Sequence, residues 1–196
     1  MALPIEVTRR RFTAEEYDRM AEAGILAEER VELIEGEIIQ MAPIGLRHAA
    51  CVTELTNHLV LRLAGRGVIS PQNPLRLPGD NVPQPDIVVL RPPMDQYRHR
   101  RPQPADALLV VEVSDTTYRY DREIKLPLYA RAGVAEAWIL NLPAEAVEVY
   151  RGPGRSGYRH AEIPRSGASV APEAFPDIRL TVDDILALPA GPGRGT

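Results

Sequence analysis

Cysteine, phenylalanine and tryptophan are scarce in this sequence, and long apolar runs are missing from it. The single cysteine, Cys51, excludes an internal disulfide and cannot by itself build a structural zinc site. No apolar run approaches the ~20 residues of a transmembrane helix. Residues 1–17 lack the apolar stretch and small-residue cleavage site of a secretory signal. A cytoplasmic protein that makes no membrane contact is therefore predicted.

Positive charge is also in deficit, because 27 Asp and Glu residues outnumber 23 Lys and Arg residues and leave a net charge of −4. A general nucleic-acid coat protein would be basic, so this balance argues against that class. A metal-dependent nuclease stays possible, since carboxylates that hold cations lower the net charge. A local basic strip, Arg91–Arg101, could still meet phosphate, and its alternative interpretation is a solvated charged loop.

The length and patterning predict one mixed α/β domain. A chain of 196 residues suits a single core, predicted over 1–188, with a disordered tail over 189–196. Caps and periodicity predict two hairpins, several strands and four helices. The hairpins lie at 31–41 and 136–152, the strands at 67–70, 74–77, 86–90, 108–114 and 157–163, and the helices at 13–23, 48–65, 118–132 and after Thr181. No glycine-rich phosphate loop follows a strand, which excludes a regular Rossmann unit.

Two acidic residues stand out because they interrupt apolar strands. In the segment 108–114, alternation places Glu112 on one face of a strand whose other residues are apolar apart from Ser114. An ionised glutamate is costly to bury there unless it is paired or bound to a cation. Asp86 follows Pro85 at the entry to another apolar strand. Carboxylates at the ends of neighbouring strands suit a divalent cation, while solvated or capping roles are the alternatives.

Further candidates flank this pair. In a helix over 118–132, Asp121, Lys125 and Tyr129 share one face, where the lysine could lean over the strand end or form a surface ion pair. Pro127 disturbs that helix, which is therefore kinked or begins later. Glu32 alternates with apolar neighbours in the first hairpin. His48 opens the long helix as a ligand, a phosphate contact or an ordinary first-turn residue.

The order of these segments resembles the Uma-two family, bacterial proteins of the PD-(D/E)xK restriction-endonuclease-like superfamily. The resemblance runs from VELIEGEIIQMAP through His48 and PDIVVL to VVEVSDTTYRYDREIKLPLYARAGVAEAWILN. It implies a mixed central sheet flanked by helices, with extra hairpins. It also implies that Asp86 and Glu112 bind Mg²⁺, or Mn²⁺ in its place, with Glu32 as a third carboxylate. Position 114, where the motif has lysine, holds Ser114, so the resemblance assigns the lysine's part to Lys125.

These observations predict a Mg²⁺-dependent endonuclease acting on nucleic acid, with DNA as the expected partner. The catalytic residues would be Asp86, Glu112, Lys125 and Glu32, and the substrate or supporting contacts would come from His48, Asp121 and Tyr129. Two alternatives are a catalytically silent module that binds nucleic acid or a protein, and a hydrolase of another phosphodiester. The apolar hairpin around Ala137–Tyr150 further predicts a homodimer, unless it covers this chain's own sheet.

Overall fold

A computed structural model describes residues 9–27 and 29–188 of the chain. The predicted tail over 189–196 lies outside the described residues. The strands are β1 Val31–Ile34, β2 Glu37–Gln40, β3 Val68–Pro71, β4 Ile87–Leu90, β5 Ala107–Ser114, β6 Glu136–Asn141, β7 Ala146–Arg151, β8 His160–Glu162, β9 Ser169–Val170 and β10 Leu180–Thr181. The α-helices are α1 Ala14–Glu22, α2 Leu46–Leu63, α3 Tyr118–Tyr120, α4 Leu126–Ala132 and α5 Val182–Ile185.

A six-stranded mixed sheet in the order β3-β4-β5-β6-β7-β8 forms the centre of the fold. Strands β5 and β6 run parallel, and the other neighbours in this sheet are antiparallel. The parallel pair requires a crossover, which α3 and α4 supply between β5 and β6. The smaller pairs β1-β2 and β9-β10 are antiparallel ribbons beside the sheet. The predicted mixed sheet with flanking helices and extra hairpins is thus observed.

The two faces of the sheet have different coverings because side chains alternate along β5. Leu109 and Val111 pack with α2, which buries Leu55 and Leu59 against the same face. Val110 instead packs on the other face with Tyr129 of α4. Glu112 therefore points to the α4 side, as the alternation predicts. The burial of whole strands explains why β4 and β5 are apolar almost throughout.

Local sequence signals explain two helix starts and one hairpin turn. Thr13 caps α1 through the predicted capping box with Glu16. Glu35 and Gly36, both at positive φ, close the β1-β2 hairpin at the predicted turn. Thr181 caps α5 by accepting a hydrogen bond from the amide of Asp184.

Two expectations about secondary structure need correction. The predicted strand over 74–77 is not a strand; within it, Leu77 makes only an isolated bridge to Asn81, since Pro74 and Pro78 interrupt the segment. The helix over 118–132 is not uniformly α-helical, because a π-helical segment, Asp121–Lys125, joins α3 to α4 just before Pro127.

Of the helices within residues 9–27 and 29–188, none combines the length and apolar character that crossing a bilayer would require.

The apolar hairpin that prompted the homodimer prediction is buried within the chain itself. Trp138, Leu140 and Val147 belong to the main core beneath α2, and Tyr150 is also buried. The hairpin is therefore part of this chain's own central sheet, and the surface from which a dimer was inferred is not available. The homodimer stays a prediction without that support.

The pattern of buried and exposed side chains along α2 allows a direct test of the core. Leu59 is fully buried, whereas Leu61, two residues later, is 77% exposed. Leu59→Ala is expected to lower the free energy of unfolding by about 2–5 kcal/mol, because it leaves a cavity under the sheet. Leu61→Ala should change it by no more than about 0.5 kcal/mol. Urea denaturation followed by circular dichroism measures both, and equal losses would contradict this helix register.

Candidate active site

A pocket of about 270 Å³ opens between the β1-β2 hairpin, the start of α2 and the crossover helices. Its polar lining includes all four residues that the sequence predicts to be catalytic: Glu32, Asp86, Glu112 and Lys125. The predicted supporting residues His48 and Asp121 also line it. Tyr129 lies beneath the floor, in contact with Glu112. The structure therefore brings the predicted set together, and the catalytic roles stay predictions.

Asp86 is held from two sides at the start of β4. Its Oδ2 accepts a hydrogen bond from the amide of Val113 on β5, at 2.8 Å, which fixes the carboxylate across the two strands. Its Oδ1 lies 3.0 Å from Nε2 of His48, in the first turn of α2. Burial alone would raise the pKa of Asp86, but hydrogen bonding and charge from His48, with the charge of Lys125, lower that pKa below its ordinary value.

Glu112 and Lys125 form the buried ion pair at the bottom of the pocket. Lys125 Nζ lies 2.8 Å from Glu112 Oε1, and the same oxygen accepts a hydrogen bond from the hydroxyl of Tyr129. Burial raises the pKa of Glu112 well above its ordinary value, and the charge of Lys125 offsets only part of that effect. Burial acts to lower the pKa of Lys125, but the surrounding carboxylates together raise it well above the ordinary value. The ammonium group is therefore held protonated.

Glu32 reaches the same ammonium group from β1. Its Oε2 lies 3.5 Å from Lys125 Nζ and accepts a hydrogen bond from the amide of Gln84 at 3.0 Å. Its Oε1 accepts a hydrogen bond from the hydroxyl of Tyr120 at 2.9 Å. Both carboxylate oxygens thus have protein partners. These contacts fix the carboxylate of Glu32 next to Lys125.

Asp121 forms the fourth carboxylate of the pocket and ties the crossover to β5. Its Oδ2 accepts hydrogen bonds from Ser114, at 2.7 Å, and from Thr117, at 2.6 Å. Burial raises the pKa of Asp121, and Lys125 and these two hydroxyls act against that shift. Ser114 therefore occupies the position where the motif has lysine and anchors the start of the helix that carries Lys125.

The charges of the pocket do not balance. Glu32, Asp86, Glu112 and Asp121 surround one lysine, and all five side chains are buried. Such an acidic excess is costly in a low-dielectric interior unless a proton or a cation offsets it. In the part of the chain that the structure describes, no three His, Cys, Asp or Glu side chains are grouped closely enough to hold a metal ion. The oxygen donors of these carboxylates are of the kind that a hard cation prefers.

Some residues of the site carry no signal in the sequence. Tyr120, Gln84 and Thr117 contact the predicted carboxylates from segments whose sequence patterns single out none of them. They could not be found without the tertiary fold. The basic strip Arg91–Arg101 contributes no residue to this pocket. Its arginines instead pair with acids of this chain, Arg98 with Asp95, Arg100 with Asp106 and Arg101 with Asp18.

Comparisons with known proteins agree with this architecture. A family model described as "Uma2: Putative restriction endonuclease" matches residues 14–183. A crystal structure of "a putative nuclease belonging to DUF820 from Anabaena variabilis ATCC 29413" gives a TM-score of 0.70 at 19% identity, covering 90% of this chain and 98% of that one. This similarity confirms the predicted fold. The type IIG restriction endonuclease BpuSI matches with a TM-score of 0.38 at 18% identity, over 64% of this chain and 14% of that one. No curated protein matches the sequence.

The acidic excess predicts an unequal response to mutation. Lys125→Met is expected to lower the free energy of unfolding by about 3 kcal/mol or more, because it leaves buried carboxylates without their ammonium partner. Glu112→Gln should cost less than about 1.5 kcal/mol, because it removes one charge from the excess and keeps an acceptor for Tyr129.

Urea denaturation of the two variants tests this order. Arg119→Met, which breaks the exposed Arg119–Glu123 pair, serves as the control and should unfold like the wild type. A Lys125→Met protein as stable as Glu112→Gln would show that the lysine does not compensate the pocket charge.

Proposed function

The chain belongs to the Uma2 family, and on this basis we propose that it is a metal-dependent endonuclease that hydrolyses phosphodiester bonds of DNA. The observation that supports this function best is the buried contact between Lys125 Nζ and Glu112 Oε1, in a pocket shared with Asp86. Two strand-end carboxylates beside a lysine provide the charges that phosphodiester hydrolysis needs: a site for a hard cation, and a fixed positive group facing the phosphate.

Asp86 and Glu112 are the residues that would hold Mg²⁺, with Mn²⁺ as a substitute. Mg²⁺ is commonly bound by only one or two carboxylates, with water and substrate phosphate completing its shell. When bound, the cation would polarise the scissile phosphate and lower the pKa of a bound water. Glu32 would be the third carboxylate of the metal site, and it would also hold Lys125 in place.

Lys125 would act as a fixed hydrogen-bond donor. Because the carboxylates around it keep the ammonium group protonated, it suits stabilising negative charge on the phosphate and orienting the attacking water. It is poorly suited to removing a proton from that water, which would require a lowered pKa. Tyr129 and Glu32 hold the ammonium and its carboxylate partner in place. His48 would hold the carboxylate of Asp86 at the pocket side.

A cleavage assay tests the function. Wild-type protein with Mg²⁺ or Mn²⁺ is expected to cut plasmid or single-stranded DNA, and EDTA should abolish cutting. Glu112→Gln and Lys125→Ala should each reduce the rate by at least about 100-fold, because they remove a cation ligand and the donor to the phosphate. Glu148→Gln is the matched control, since Glu148 is equally buried but lies on β7 and contacts Asn141 and Tyr150.

The alternative function is that of a catalytically silent module that binds nucleic acid or a protein. The same proteins separate the two functions. A silent module would keep its DNA binding in EDTA, and its wild type and Glu112→Gln forms would be equally inactive with either metal. Equal cleavage by wild type, Glu112→Gln and Lys125→Ala would instead place the reaction outside this pocket.

A further inference from the structure

The reactive groups of the candidate site lie deep within their pocket. The exposed fractions of Glu32, Asp86, Glu112, Asp121 and Lys125 lie between 2% and 7%. A phosphodiester can therefore reach Lys125 only by entering the pocket, and it cannot be cut while it lies across the surface. The shape of the pocket consequently restricts which form of nucleic acid can react.

The size of the pocket suits one nucleotide and not a double helix. Its volume of about 270 Å³ lies just below the ~300 Å³ at which ordinary small-molecule pockets begin. The major groove of B-form DNA is already about 12 Å wide, and the duplex is a stiff rod that resists sharp bending. A paired nucleotide would have to be extruded from the stack before its phosphate reached Lys125, which costs least when the strand is already unpaired.

The pocket has one charged wall and one apolar wall. The carboxylates and Lys125 form one side, and an apolar segment, Met41–Ile44, forms the other. Ile44 is 43% exposed at the rim, and Leu46, which follows at the start of α2, is 92% exposed. Exposed apolar side chains beside a charged recess match a nucleotide, because its base has apolar faces and its phosphate is charged.

Two arginines stand at the same mouth. Arg30 lines the pocket and donates a hydrogen bond to the backbone carbonyl of Ala42. Arg47 is about half exposed; it donates a hydrogen bond to the backbone carbonyl of Leu142 and lies 3.9 Å from Asp115, which lines the pocket. Within the described residues neither arginine makes a close ion pair, so both keep charge that a DNA phosphate could use.

We infer that the pocket selects unpaired DNA: one nucleotide of a single-stranded segment inserts between the apolar rim and the carboxylate floor, while Arg30 and Arg47 contact flanking phosphates. This inference rests on the proposed function and specifies its substrate class. Intact duplex would react only where its strands separate.

Fluorescence anisotropy tests the preference with a labelled single strand of about 20 nucleotides and with the duplex of the same sequence. The wild-type protein is used with Ca²⁺ in place of Mg²⁺, because Ca²⁺ also takes oxygen ligands, and a gel checks that the probe stays intact during the measurement. The single strand is expected to bind at least about tenfold more tightly than the duplex. Adding Ile44→Asp or Leu46→Asp should weaken single-strand binding about tenfold, because each places a negative charge where the base and backbone enter.

Leu61→Asp provides the matched control, since Leu61 is an exposed apolar residue of the same helix that lies roughly 22 Å along the helix axis from Leu46. Its single-strand binding should stay within about twofold of the parent protein. The inference is overturned if duplex binds as tightly as the single strand, if neither DNA binds, or if Ile44→Asp and Leu61→Asp behave alike.

Wild-type cleavage of the same probes separates a failure of the substrate inference from a failure of the proposed nuclease function. If duplex is cut, the cutting requires Glu112, and the single strand is not preferred in binding, then only the inferred substrate class is wrong. If the single strand binds, Ile44→Asp weakens that binding, and no probe is cut, then only the proposed nuclease function is wrong.

Discussion

The candidate site depends on the position of one buried lysine between two glutamates. Lys125 comes from the crossover, Glu112 from the central strand β5 and Glu32 from the peripheral strand β1. Because an unpaired charge is costly to bury, these elements can pack only in the arrangement that brings all three groups together. The β1-β2 hairpin is docked for this purpose through Leu33, which exchanges backbone hydrogen bonds with Val82. The ion cluster and the hairpin's position therefore support each other.

The lysine of the site comes from the crossover segment between β5 and β6 and not from β5 itself. Position 114 on β5 carries serine, and Ser114 binds Asp121, so the strand anchors the helix instead of supplying the lysine itself. The following segment is π-helical, with the amide of Leu126 donating to the carbonyl of Asp121. Such segments rotate the residues after them relative to an α-helix and often occur at functional sites. Here the segment ends at Lys125 and is followed by Pro127, which lacks the amide that a continuous helix would use.

How much of this could be predicted depends on whether the signal is local. The strands that carry Asp86 and Glu112, the capping box at Thr13 and the turn at Gly36 follow from neighbouring residues, and the structure agrees with them. The burial of Trp138 could not be predicted in the same way, because a hairpin that faces a partner and one that covers its own sheet have the same pattern. The contact of Tyr120 with Glu32 spans distant parts of the chain and leaves no local trace. Strand and helix patterns already indicate that Asp86, Glu112 and Lys125 could meet, whereas the inclusion of Glu32 in the site rests on the family resemblance.

The charge of the pocket constrains any ligand that enters it. A DNA phosphate is negative, and four buried carboxylates around one ammonium group would repel it. Under the proposed function, a divalent cation at Asp86 and Glu112 removes that repulsion, so cation and DNA must each raise the pocket's affinity for the other. If these carboxylates held the cation, water and the substrate phosphate would complete its coordination. The acidic excess that makes this pocket costly to fold is thus the property that would let it admit an anion only together with its metal.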